Sequence, residues 1–323
     1  MGKKIYNAAI IGCGNIAGDY DIKIPTKYTF THAESYVLSK RVKLIAISDI
    51  NKKKLTKFKD KWKVKRSYTN YEEMLNTEKI DILSICSPTE THFNILKYAT
   101  KNKKIKTIFL EKPSTFKASE TKFILKSAKK ISIVVNYFRR WNESFIDFKK
   151  KFLNNNLQKI KKIEVRYTKG IYVSCSHQID LMRFFFGEPI NFKIIKKYKK
   201  FNNDSGIDFI LKFKNNIEVY FLHIPNVNYA YFDINFYLEN KILNISQRGQ
   251  IISEYTKVED SDYNKFCKIT RSKSYETNWK NCLLKALNEI ILCLDKETNI
   301  SSSNLLNAYK NTLICEKIFK KRL

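Results

Sequence analysis

Residues 8–18, AAIIGCGNIAG, decide the fold. A short apolar run enters Gly12-x-Gly14-x-x-Ala17, and the next apolar run, LIAISD, closes on Asp49. This is the pattern of a strand, a tight turn and a helix that receive the diphosphate of a dinucleotide. Gly12 permits the turn, and Gly14 leaves no side chain between backbone and diphosphate. The small Ala17 lets helix and strand approach, while Asn15 and Ile16 bring backbone N–H groups to the positive helix end. Asp49 stands where a carboxylate would accept from the adenosine ribose, which favours NAD over NADP; Lys52, Lys53 and Lys54 beyond it leave NADP possible. It follows Gly12 by 37 residues, against roughly 20 in the usual unit. Tyr20 to Thr31 is therefore read as an insertion in the first crossover, reaching over the cofactor.

Length and composition bound what surrounds this turn. A chain of 323 residues with 43% hydrophobic content predicts two domains, each with a real core. The amino-terminal MGKKIYN has no apolar signal core, and no run is long enough to span a membrane, so a cytoplasmic protein without a membrane partner is expected. The seven cysteines include no C-x-x-C pair and are read as reduced core thiols. The four histidines are too dispersed for a metal site, and none is expected. The net charge of +30 comes mainly from lysine spread along the whole chain, with no nucleic-acid-binding signature, so no specific nucleic-acid partner is expected.

Strands and helices alternate to residue 136, which predicts a parallel, doubly wound sheet with ligands beyond its carboxyl ends. Ser87, Pro88, Glu111 and Lys112 fall on that side. From Ile160 onward, period-two runs such as Ile207 to Phe213, Ile217 to His223 and Ala230 to Leu238 predict a mainly antiparallel open sheet. The expected organisation is a Rossmann domain over 1–136 and an α+β domain over 137–323. Two late helices are expected over Trp279 to Leu294 and Asn304 to Phe319, the second capped by Ser302 or Ser303.

These residues together resemble the Gfo/Idh/MocA oxidoreductases, named for glucose-fructose oxidoreductase, inositol dehydrogenase and a rhizopine-catabolism protein. The resemblance rests on the glycine turn, Asp49, the loop from Ser87 to His92, Glu111-Lys112-Pro113, Asn136-Tyr137-Phe138-Arg139-Arg140 and His177-x-x-Asp180. It implies hydride transfer between a nicotinamide cofactor and a secondary hydroxyl of a sugar, nucleotide-sugar or cyclitol. It further implies Lys112 as the proton-transfer residue and pairing of copies through the second domain's sheet, as a homodimer or homotetramer. The tyrosine-rich face of the strand ending at Leu238 suits such an interface.

Hydride transfer to or from an alcohol carbon leaves a proton to be moved at the oxygen, which calls for a positioned acid-base group. Lys112 and His177 are the candidates, with Asp180 one helical turn on to orient the imidazole. His92 is read as shaping the cofactor loop, His223 as structural, and His32 is left open. Tyr172, His177, Arg139 and Arg140 are the candidate substrate contacts, the arginines suggesting an anionic or nucleotide-linked sugar. One departure from the family pattern stands out: Val173 and Cys175 occupy positions where many members carry Asp and Gly. Loss of that Asp leaves a second reading open, a non-catalytic dinucleotide-binding sensor or structural protein of the same fold.

Overall fold

The computed structural model describes residues 4–20, 29–128, 130–153, 157–199, 204–299 and 302–321; the insertion expected over Tyr20 to Thr31 lies largely outside them. Two compact units emerge, one of residues 1–141 and 280–313, the other of 142–279 and 314–323.

The first unit is built on β1 (Tyr6–Ile11), β2 (Val42–Ser48), β3 (Arg66–Tyr68), β4 (Ile82–Ile85), β5 (Thr107–Leu110) and β6 (Ser132–Val135). They form one parallel sheet in the order β3-β2-β1-β4-β5-β6. The central strands are buried on both faces, so β4 and β5 are buried at every position and mostly apolar, without alternation. Connecting them are α1 (His32–Leu38), α2 (Lys52–Trp62), α3 (Tyr71–Thr77), α4 (Thr89–Ala99) and α5 (Ala118–Ser127). Chain order reverses between β1 and β4, which makes the carboxyl end of β1 the switch point where ligands bind in such sheets.

The second unit contains α6 (Glu143–Asp147), β7 (Ile160–Tyr167), α7 (Ser176–Phe186), β8 (Asn191–Lys197), β9 (Ile207–Lys212), β10 (Glu218–His223), β11 (Phe232–Leu238), β12 (Lys241–Ser246), β13 (Ile251–Glu259) and β14 (Cys267–Glu276). Its sheet runs β14-β13-β12-β11-β7-β10-β9-β8 and is antiparallel except where β10 pairs with β7. Phe232, Ile234 and Phe236 of β11 are buried, and Phe236 meets Phe148 and Phe185 within one aromatic cluster. The alternate side chains are tied into polar pairs: Tyr231 donates to Asp233, Tyr237 to Glu164, and Asn244 to Asn235.

Three expectations need correction. The first unit does not end at 136: α8 (Cys282–Lys296) and the start of α9 (Leu305–Lys320) return to it. The physical reason lies at the β6 edge, where Val135 N–H donates to the Ser303 carbonyl and Ser303 Oγ to the Val135 carbonyl. Trp141 Nε1 donates to Glu289, Tyr6 Oη to Asp295 and Asn311 Nδ2 to Tyr137 Oη. Ser303 is thereby committed to β6, and the α9 cap is Asn304, whose Oδ1 accepts from Asn307 N–H at 3.0 Å. The cysteines are all free, but Cys267 on β14 is exposed and Cys293 half-buried, so the core-thiol reading fails for those two.

Candidate active site

The glycine turn is shaped by its neighbours. Gly12 has a φ of +90°, and a Cβ there would lie 2.6 Å from the Ser87 nitrogen, so both conformation and space demand glycine. At Gly14 an added Cβ would meet no protein atom within 4 Å. The fold itself therefore does not require glycine there, whereas a closely approaching diphosphate would. Asn15 and Ile16 begin a π-helical turn, Asn15–Asp19, and Ala17 within it is buried. The glycine pattern puts the close helix approach on Ala17, but it falls also on Gly18, where a Cβ would lie 2.4 Å from Trp62 Nε1.

Asp49 secures the turn from β2. Its Oδ2 accepts from Cys13 N–H at 2.7 Å and its Oδ1 from Asn51 N–H at 2.8 Å. Each carboxylate oxygen has a further acceptor site, so ribose hydroxyls can be received as well.

Beyond β4, Ser87 and Pro88 lead into α4, with Ser87 Oγ 2.7 Å from Thr91 Oγ1. His92 on that helix is buried, with Nε2 2.9 Å from the Ser87 carbonyl oxygen and Nδ1 3.0 Å from the Pro113 carbonyl oxygen. The imidazole thus ties the loop packed against Gly12 to the turn that carries Lys112. Burial pushes its pKa below the ordinary histidine value, although both carbonyls pull it up. Glu111 ends β5, and its Oε1 accepts from Asn136 Nδ2 at 2.7 Å and lies 3.0 Å from His32 Nε2. Burial drives the Glu111 carboxyl upward, but the hydrogen bonds from His32 and Asn136 and the Lys112 charge outweigh it and leave the carboxyl below its ordinary value. The Lys112-Pro113 bond is cis.

In the second unit Tyr172, His177 and Asp180 share one continuous helical segment, a π turn over Ile171–Cys175 running into α7. His177 is therefore inside the helix and half-buried. Asp180 is buried and pairs with Arg183 Nη1 at 3.4 Å, while the same guanidinium donates to both oxygens of Glu188. Tyr172 is buried with its ring 5.5 Å from that of Phe319.

Asp204, which no sequence motif marks, acts on the same segment. Its carboxylate accepts from the backbone N–H groups of Tyr172, Val173 and Ser205 at 2.9 to 3.2 Å. It caps the helix from 31 residues downstream, and Gly170 is small because a Cβ there would lie 2.0 Å from the Asp204 carboxyl carbon. A carboxylate thus meets the backbone at Val173, the position whose side chain departs from the family pattern, while Val173 itself is exposed.

Arg139 and Arg140 belong to the first unit, on a 3-10 turn over Phe138–Trp141, and both are under a tenth exposed. Arg140 donates to the Ser302 carbonyl at 3.2 Å and the Arg139 guanidinium lies over the Phe138 ring. His223 is ringed by Tyr167 and Tyr198, in line with a structural role.

A parallel sheet with a glycine turn at its switch point and a carboxylate closing β2 defines a dinucleotide-binding Rossmann protein. Residues 6–138 match the Gfo/Idh/MocA model, described as an oxidoreductase family with an NAD-binding Rossmann fold. Myo-inositol 2-dehydrogenase of Thermotoga maritima is 25% identical over 175 residues, 49% of this chain and 52% of that protein. The chain thus spans about half the length of the curated relatives it matches. Among solved structures, levoglucosan dehydrogenase with NADH and levoglucosan superposes with a TM-score of 0.76 at 14% identity, covering 98% of this chain and 97% of that one. An oxidoreductase from Agrobacterium radiobacter with NAD+, L-tartaric acid and magnesium gives 0.72 at 15% identity, covering 98% and 95%. At such identities the likeness is one of fold. No described helix is long and apolar enough to cross a membrane.

The His92 environment makes a pH prediction. A folded-state pKa held below the unfolded value of 6.5 means that the unfolded chain takes up the proton first as pH falls. The neutral ring's contribution is fully present above pH about 6.5 and is lost progressively as pH drops toward the folded value. Urea unfolding between pH 7.5 and 5.5 should show stability falling with pH in the wild type and a flatter profile in His92→Gln. Parallel profiles would contradict this.

Proposed function

We propose that the protein is an NAD-dependent dehydrogenase or reductase acting on a secondary hydroxyl of a sugar or cyclitol. The observation that carries this reading is the bridge through His92, which fixes the Lys112 turn against the loop that shapes the glycine turn. A cofactor seated on Gly12, Gly14, Asn15 and Ile16, with its ribose on Asp49, and with Ser87, Pro88, His92 and Glu111 framing the far side, fits the donors and spaces found there. Bound NAD supplies the hydride acceptor, or NADH the donor. Lys112 takes the hydroxyl proton during oxidation and returns it during reduction, with Glu111 beside it balancing its charge. His177 is the second unit's candidate for substrate contact and acid-base work, and Asp180, on the same helix, pairs with Arg183. Arg139 and Arg140 are candidate substrate contacts, and the substrate class is a polyhydroxylated ring, neutral or nucleotide-linked. The inositol and levoglucosan named for relatives support that class.

In a panel including myo-inositol, scyllo-inositol and levoglucosan, absorbance of reduced nicotinamide should rise with NAD. NADH binding without turnover of any sugar would instead favour the non-catalytic reading. Lys112→Met should lower kcat by about a hundredfold or more while the NADH dissociation constant, read by fluorescence, stays within about threefold; an active variant would refute the role of Lys112.

Asp49 should make NAD bind more tightly than NADP, because a 2′-phosphate would meet a carboxylate already fixed by two backbone donors. Tighter NADP binding in a titration would reverse that assignment. Finally, the tyrosine-bearing face of β11 is proposed to pair with a second copy as a homodimer or within a homotetramer. Light scattering at micromolar concentration should give at least twice the mass of the 38.2 kDa chain.

A further inference from the structure

Behind the lysine turn runs a buried chain of hydrogen bonds that the reaction as proposed does not use. Tyr36 Oη lies 2.6 Å from Ser84 Oγ, Ser84 Oγ lies 2.7 Å from His32 Nδ1, and His32 Nε2 lies 3.0 Å from Glu111 Oε1. Tyr36, Ser84 and His32 have no exposed surface. The imidazole is wedged against Phe109, ring centroids 4.4 Å apart. It heads α1, whose cap is the Thr31 hydroxyl, which accepts from Glu34 N–H.

Counting protons gives the chain a direction. An ionised carboxylate can only accept, so the hydrogen between His32 and Glu111 sits on Nε2. Nδ1 then carries a lone pair and takes the Ser84 O–H, and the freed Ser84 lone pairs receive the Tyr36 O–H. Every donor is matched. The opposite tautomer would set an Nε2 lone pair against a carboxylate, a buried repulsion that nothing offsets. What the chain fixes is orientation. His32 and Asn136 both donate to Oε1 of Glu111, and the charge next in the sequence, Lys112, acts on the same carboxylate.

We propose that His32 is a positioning residue for Lys112: its Nε2–H and the Asn136 amide fix the Glu111 carboxylate that holds the lysine amine, and Ser84 with Tyr36 fixes the imidazole tautomer that does so. This rests on the reading of Lys112 as the proton-transfer residue.

Two measurements test it. With only four histidines in the chain, nitrogen NMR of histidine-labelled protein resolves each ring and needs no substrate. His32, assigned by its loss in His32→Gln, should appear as the Nε2–H tautomer, and Ser84→Ala should introduce the Nδ1–H form. An Nδ1–H ring in the wild type overturns the proposal. In turnover of the best sugar of the panel, His32→Leu should lower kcat about a hundredfold with NADH affinity within about threefold. His32→Gln, which keeps an N–H for Glu111, should recover to within about tenfold of wild type. Tyr36→Phe preserves packing and should lower kcat about threefold, a readout that remains should the His32 variants fail to fold. A folded His32→Leu with unchanged kcat, alongside an inactive Lys112→Met, defeats this inference alone. An active Lys112→Met defeats the reading beneath it.

Discussion

One imidazole touching two carbonyl oxygens organises the first unit. The His92 ring stands between Ser87, whose backbone presses on Gly12, and Pro113, which follows Lys112. Both partners are acceptors, and a neutral ring has one N–H, so the contact is strongest to one carbonyl at a time. The strands fix where β1, β4 and β5 end; the ring fixes how the loops beyond those ends face one another. A cofactor turn and a lysine turn that come from separate strands are thereby held as one piece.

How much of this the sequence discloses depends on how local each cause is. The parallel sheet is legible because its strands are buried on both faces and read as apolar runs, and because a glycine turn declares the first crossover. The second sheet is legible in its middle, where β9, β10 and β11 alternate clearly, and obscure at its edges. In β8, Asn191–Lys197, lysines break the alternation, and β14 is exposed along nearly its whole length. An edge strand has one neighbour and little to bury, so its composition carries little signal. The return of α8 and α9 to the first unit is decided by hydrogen bonds between residues far apart in sequence, such as Ser303 with Val135, which no local pattern foreshadows.

The candidate site divides in the same way. Gly12, Gly14, Asp49, Glu111 and Lys112 are visible because their positions within short motifs follow from the chemistry of diphosphate, ribose and proton transfer. The roles of His32 and Asp204 are not. Each acts on a motif residue from another part of the chain, His32 on Glu111 across 79 residues and Asp204 on Val173 across 31. A hint to Asp204 exists in Gly170, a glycine immediately before the helix and not needed for any turn of positive φ, but its meaning requires the partner. The arginine pair is visible as a motif, while its tie to the rest of the fold is not: Arg140 donates to a backbone carbonyl 162 residues away.

Charge imbalance runs through all of these contacts. With 31 acidic residues against 61 basic ones, carboxylates are the scarce partner, and the fold uses several of them as multiple acceptors. Asp204 takes three backbone N–H groups, Asp295 takes Tyr6 and Arg41, Glu289 takes Trp141 and Ser302, and Glu78 takes Arg66 and Tyr68. Asp49 and Glu111 behave in the same way at the candidate site. A solvated ammonium on a long stem, by contrast, loses little by standing alone. Positive charge is thus the abundant, weakly placed component of this protein, and negative charge the sparse one whose positions carry the architecture. In a chain this basic, it is the acids that mark where distant segments are joined.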